Sequence, residues 1–154
     1  MEDETKGDSP STDIGIFLNV LDLATDPPKI AVFEGKRLSK TLGKQRKQEY
    51  VIGHEKKGRH VPCGGIERFK RSIHGGKFNN AGMIGYLQDG TPNHWWAQVN
   101  SWIAELSSQQ HDPAWSNHEQ LTQPTTDGQV TECSSAVYRK TEELHLIHLW
   151  IKLD

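Results

Sequence analysis

The stretch Lys29-Ile30-Ala31-Val32-Phe33-Glu34-Gly35-Lys36-Arg37-Leu38 constrains this chain more than any other. It is short, mostly apolar and partly β-branched, which predicts a strand. Side chains alternate faces along a strand, so Ile30, Val32, Glu34 and Lys36 share one side while Ala31, Phe33, Gly35 and Arg37 share the other. Two apolar residues thus run into an acid and a base on one face, the pattern of a strand that passes from a core into a cleft. An exposed Glu-Lys pair on an edge strand would contribute about 0–1 kcal/mol and no chemistry. Ile30 and Val32 argue instead that this face is buried close by.

The flanking segments supply neighbours for that strand. Asp13-Ile14-Gly15-Ile16-Phe17-Leu18-Asn19-Val20 reads as a preceding strand, and the turn at Asp26-Pro27-Pro28 makes a hairpin the simplest pairing. After a basic loop, residues 65–74 read as a short helix with Ile66, Phe69 and Ile73 on its apolar face and Arg68, Lys70 and Arg71 projecting from the other side. Residues 81–88 follow as a buried strand ended by Asp89-Gly90, completing a β-β-α-β order. Residues 92–107 predict an amphipathic helix with Trp95, Val99, Trp102, Ile103 and Leu106 as its stripe. Residues 107–131 are a polar surface excursion with a turn of helix around Trp115 to Leu121. A hairpin of residues 134–139 and 144–153 closes the chain, with Leu144, Leu146, His148 and Trp150 on one face. At 154 residues the expectation is one α/β (α+β) domain with a mixed central sheet flanked by helices. Residues 1–12 form its mobile lead-in and residues 13–154 the domain, with a core at 13–88 and a C-terminal helix and β-hairpin at 92–154.

Charge is distributed unevenly. The net charge is −2, yet residues 36–71 hold twelve Lys or Arg against three Glu, a local balance of +9. That asymmetry is the footprint of a phosphate-binding face, although a solvated loop would look similar. Lys40, Lys44, Arg46, Lys47, Lys56, Lys57, Arg59, Arg68, Lys70 and Arg71 are the candidate nucleic-acid contacts. No apolar run approaches the roughly 18 residues of a membrane span, and the acidic N-terminus lacks the regions of a signal peptide, so the reading is a cytoplasmic protein with no membrane partner. Cys63 and Cys133 form no CxxC pair and receive no role. His54, His60, Cys63 and His74 match no zinc spacing, so these histidines read as surface residues. Core packing accounts for Trp102 and Trp150. The adjacent Trp95 and Trp96 cannot both face inward from one helix, which leaves one of them as a contact surface.

Hydrolysis of a phosphodiester needs a metal to neutralise the phosphate, an attacking water and a cation to support developing charge. Two carboxylates at about 4 Å repel by roughly 4 kcal/mol at an effective dielectric of 20, and a hard divalent cation such as Mg²⁺ resolves that conflict. Asp13 opens the first strand, and Glu34 lies 21 residues later with Lys36 beside it. This arrangement resembles the D…(D/E)-x-K signature of the restriction-endonuclease-like, or PD-(D/E)XK, superfamily over residues 12–88. The resemblance implies that Asp13, Glu34 and the Gly35 carbonyl bind Mg²⁺ or Mn²⁺, and that Lys36 orients or polarises the attacking water. Gln45, Gln48 and Tyr50 stand as possible accessory residues. It implies a Mg²⁺-dependent endonuclease acting on DNA, similar to proteins of restriction or phage defence, or an inactive DNA-binding or interaction module that keeps the fold. The superfamily places a helix and a strand ahead of the Asp; here they would come from a longer chain, a partner chain, a second copy in a homo-oligomer or a rearranged topology.

Overall fold

The computed structural model describes residues 14–17 and 29–153. Asp13, the lead-in of residues 1–12 and the turn at residues 26–28 lie outside the described residues. Strand β1 (Ile14–Phe17) pairs antiparallel with β2 (Lys29–Leu38), the hairpin that the sequence predicts. Helix α1 (Gly65–Lys70) then leads to β5 (Asn80–Leu87), which lies parallel to β2. Helix α2 (Pro92–Ser107) follows, capped by Thr91, whose Oγ1 accepts from His94 N, and started by Pro92 in the first turn. Strands β7 (Val130–Tyr138) and β8 (Glu143–Lys152) form the closing hairpin, and β8 pairs parallel with β5. The outcome is a mixed six-stranded sheet in the order β1-β2-β5-β8-β7-β6, where β6 is Thr125–Asp127. No helix among the described residues is long and apolar enough to cross a membrane.

Register fixes which side chains share a face. Glu34 lies beside Met83, Met83 beside His148, and His148 beside Cys133. Val32, Leu38, Ala81, Leu87, Leu144, Leu146, Trp150 and Val137 are buried on that same side. The stripe of α2, Trp95, Val99, Trp102, Ile103 and Leu106, joins the same core. On the opposite side Ile14, Ile16, Val130 and Tyr138 are exposed. The inward face therefore carries both the hydrophobic core and every buried polar group of the sheet strands, Glu34 included.

Three stretches differ in detail from the sequence reading: the end of α1, the basic loop and the excursion after α2. Helix α1 ends at Lys70, before His74, because Ser72 adopts a left-handed φ of 57°. Ile73 N then bonds Arg68 O and Ser72 N bonds Phe69 O, a Schellman termination with Ser where Gly is usual. The basic loop contains a two-stranded ribbon, β3 (His54–Lys56) with β4 (Arg59–Val61), and the excursion after α2 contains β6. The turn of helix expected near residues 115–121 is a 3-10 turn at Asn117–Glu119.

Two buried polar clusters brace the core. Trp150 Nε1 donates to the Tyr50 hydroxyl at 2.8 Å, which lies 2.8 Å from His148 Nδ1, and His148 Nε2 lies 2.9 Å from Ser135 Oγ. Indole only donates, so the Tyr50 proton goes to Nδ1 and His148 carries its own proton on Nε2, donated to Ser135. Burial lowers the His148 imidazole to about 3, raises the Tyr50 phenol well above its ordinary value, and pushes the Cys133 thiol up to about 12. In the second cluster Lys70 Nζ meets Glu119 Oε1 at 2.5 Å, Tyr138 O at 3.0 Å and the Trp115 ring at 5.1 Å. Glu119 also accepts from Ser116 N and Tyr138 N.

Candidate functional site

Strand β2 delivers Glu34 and Lys36 to the inward face two residues apart, as pleat geometry requires. Glu34 is 1% exposed, and its Oε1 takes Lys36 Nζ at 2.9 Å and Arg68 Nη1 at 3.1 Å. Arg68 reaches it from α1. The Schellman turn that ends α1 brings His74 inward, where it is buried with Nδ1 at 3.7 Å from Glu34 Oε2 and Nε2 at 3.2 Å from Arg68 Nη1. A guanidinium only donates, so Nε2 accepts, and a neutral imidazole then carries its proton on Nδ1 toward Glu34.

The two carboxylate oxygens of Glu34 differ. Oε1 is held by two cations, whereas Oε2 is buried and has no hydrogen bond. A buried carboxylate oxygen without a hydrogen bond is costly, of order 1–3 kcal/mol or more, and here the contact it has is His74 Nδ1 at 3.7 Å. Of the residues that would hold a divalent metal, the structure describes Glu34 and Gly35, consecutive on β2, with Lys36 next to them. Among the described residues no group of three or more His, Cys, Asp or Glu is arranged to hold a metal, and Asp13 lies outside them. Ile14, its neighbour in sequence, pairs with Phe33, the neighbour of Glu34. Gly35 and Lys36 line an open pocket of about 370 Å³ with Ile14, Arg37 and Arg46. Lys36 and Arg68 thus set two cations against the single Glu34 carboxylate.

The basic residues separate into three groups. Lys40, Lys44, Arg46, Lys47, Lys56, Lys57 and Arg59 are exposed. Arg68 is engaged at Glu34, and Arg71 is half-buried, donating to Glu67 and to the Asp112 carbonyl. Lys70 does not project into solvent: its position on α1 turns it inward to the buried Glu119, so it is not among the candidate nucleic-acid contacts. Tyr50 is likewise not at the site, because its hydroxyl is committed to Trp150 and His148 in the core. Gln45 and Gln48 line a groove beside β3 with Lys44 and Lys47. His74 is a buried site residue rather than a surface histidine, and Trp96 is no contact surface, since its indole bonds the Leu121 and Thr122 carbonyls. No family model, curated protein or solved structure matches the chain.

Proposed function

We propose that the chain is a metal-dependent nuclease that hydrolyses DNA phosphodiester bonds at Glu34 and Lys36, with Asp13 as the second carboxylate. The observation that carries this reading is the buried Glu34, whose Oε1 is fixed by Lys36 and Arg68 while Oε2 makes no hydrogen bond and faces His74 Nδ1 at 3.7 Å. A Mg²⁺ or Mn²⁺ held by Glu34, Asp13 and the Gly35 carbonyl would supply charge neutralisation at the phosphate and a more acidic water. Lys36 would hold and polarise that water, and Arg68 would pair with a phosphate oxygen. Water adds its hydroxyl to phosphorus, the P–O bond to the leaving sugar oxygen breaks, and that oxygen takes up a proton. The exposed lysines and arginines of residues 40–59 would hold the flanking phosphates.

A second reading has its own support. Lys36 and Arg68 together already neutralise Glu34, as in a purely structural ion-pair cluster, which suits a DNA-binding module without cleavage. A plasmid-nicking assay in Mg²⁺ or Mn²⁺ separates the two, comparing the native chain with Glu34→Ala and Lys36→Ala. Nicking by the native chain and its loss in both variants supports the nuclease. Tight, salt-sensitive DNA binding with no nicking in either metal overturns it in favour of the module.

A further inference from the structure

Ahead of α1 lies a ribbon whose tip carries part of the exposed basic segment. β3 and β4 form their own two-stranded sheet, separate from the six-stranded one. They are joined by Lys57 and Gly58, both at positive φ (51° and 74°), a tight two-residue turn with the twist that hairpins favour. Lys56, Lys57, Gly58 and Arg59 are all exposed, so three cations occupy four residues at the tip. Lys56 and Arg59 are direct cross-strand partners. Like charges in that position weaken a hairpin unless an anion lies between or beside them.

The base of the ribbon is built firmly and close to the candidate site. Glu67 of α1 is fully buried, and its carboxylate accepts from Gly53 N at 2.8 Å, His60 Nε2 at 2.6 Å and Arg71 Nε at 2.9 Å. A side chain at Gly53 would collide with the Val61 carbonyl, so the two ends of the ribbon meet there without a gap. Arg68, the next residue of α1, holds Glu34. Alongside runs an open groove of about 600 Å³ lined by Lys44, Lys47 and His54.

Shape and chemistry both favour a duplex. Two strands about 4.8 Å apart fit the major groove of B-form DNA, about 12 Å wide, which admits a two-stranded ribbon. Proteins that hold single strands rely on exposed aromatic platforms. Here all five tryptophans are buried or half-buried, and among the described side chains the exposed aromatic is Tyr138, on the opposite face of the sheet. A-form RNA has a major groove too deep and narrow for such a ribbon.

We infer that the β3–β4 ribbon enters the major groove of B-form DNA and selects duplex over single-stranded substrate for the Glu34 site. This rests on the reading of the chain as a protein that acts on DNA. The test measures binding of the full chain, in EDTA, to a labelled 20-base-pair DNA duplex, one of its single strands, and the matching RNA duplex, over a salt series. A triple variant, Lys56→Ala with Lys57→Ala and Arg59→Ala, is compared with the native chain and with a control of equal charge loss on other exposed lysines, Lys77→Ala with Lys140→Ala and Lys152→Ala. The expected result is at least tenfold preference of the native chain for duplex DNA. The ribbon variant then loses at least tenfold in duplex affinity, with a salt slope smaller by about 2 to 3, while the control variant binds as the native chain. Equal binding of single strand and duplex, or a ribbon variant indistinguishable from the control, overturns the inference. Hydrolysis of thymidine 5′-(4-nitrophenyl phosphate) in Mn²⁺ reports the chemistry separately. It should vanish in Glu34→Ala and survive in the control variant, whose three lysines lie outside the basic segment. Its absence from the native chain would count against the nuclease reading, while ribbon-dependent duplex binding would still uphold the ribbon.

Discussion

Glu34 and His148 sit on the same face of the same sheet, separated by the single strand β5, and their surroundings are completed differently. Around His148 every polar atom has a partner: Trp150 donates to Tyr50, Tyr50 to His148, and His148 to Ser135. The charged groups of the Lys70–Glu119 pair are likewise satisfied, by Tyr138 and Ser116, although the Trp115 indole N–H beside them has no hydrogen-bond partner. Around Glu34 one oxygen is crowded by cations and the other makes no hydrogen bond, with His74 Nδ1 3.7 Å away. Fully satisfied buried networks stiffen and specify a core, whereas an incomplete one stores an interaction for something else. Removing a member of the closed networks should therefore cost stability, and removing Glu34 should cost function.

The largest expected effect breaks that contrast if it fails. Glu34→Ala should lower metal-dependent nicking at least about 100-fold, the scale of losing one electrostatic partner of the transition state, while leaving the urea midpoint nearly unchanged or raised. A collapse of stability in Glu34→Gln, which keeps the shape, would move Glu34 into the class of His148. Next in size is Glu119→Ala. It strands the Lys70 ammonium in the interior and should cost about 3–5 kcal/mol in urea unfolding, whereas Lys70→Met combined with Glu119→Leu should recover most of that loss. Nicking measured well below the melting temperature should not change in the double variant.

Acid titration sharpens the same contrast. The His148 imidazole is held at about 3 in the folded chain by burial, against about 6.5 when unfolded. Between those values the unfolded chain binds more protons, so stability is fully present above about pH 6.5 and falls as pH drops toward 3. The slope approaches about 1.4 kcal/mol per pH unit within that window. His148→Gln should flatten the slope between pH 6 and pH 4 in denaturant titrations. An unchanged slope would mean that other groups carry the acid sensitivity.

What the sequence disclosed depended on how local the deciding physics was. Strand β2 was legible at both ends, because Pro28 and the run from Ile30 to Leu38 set its limits, and the pleat alone brought Glu34 and Lys36 together. The start of α2 at Pro92 and its stripe from Trp95 to Leu106 were equally local. The role of His74 was not legible, since it depends on a left-handed residue that the sequence writes as Ser, and on Arg68 crossing from another element. The inward turn of Lys70 depended on Glu119, 49 residues away, which no periodicity reveals. The β3–β4 ribbon was hidden because its strands are three residues long and highly charged, and its register comes from the turn and from Glu67 rather than from an apolar pattern.

The smallest predicted effect tests how His74 comes to face Glu34. A non-glycine residue in the left-handed region costs roughly 1–2 kcal/mol, and Ser72 bears that cost at φ 57°. Ser72→Gly removes it but adds chain entropy to the unfolded state, a penalty of about 0.5–1 kcal/mol. The balance is a gain of about 0.5–1 kcal/mol, a rise in melting temperature of roughly 2–3 °C for a chain of this size. Both Schellman bonds use backbone atoms, Ile73 N to Arg68 O and Ser72 N to Phe69 O, so they persist without the Ser72 side chain. His74 should stay beside Glu34, and nicking should be unaltered. Ser72→Val, with a β-branched side chain that resists positive φ, should lower the melting temperature instead. If both variants melt alike, Ser72 is not held in the left-handed region in solution, and the approach of His74 to Glu34 must be set by something other than the helix end.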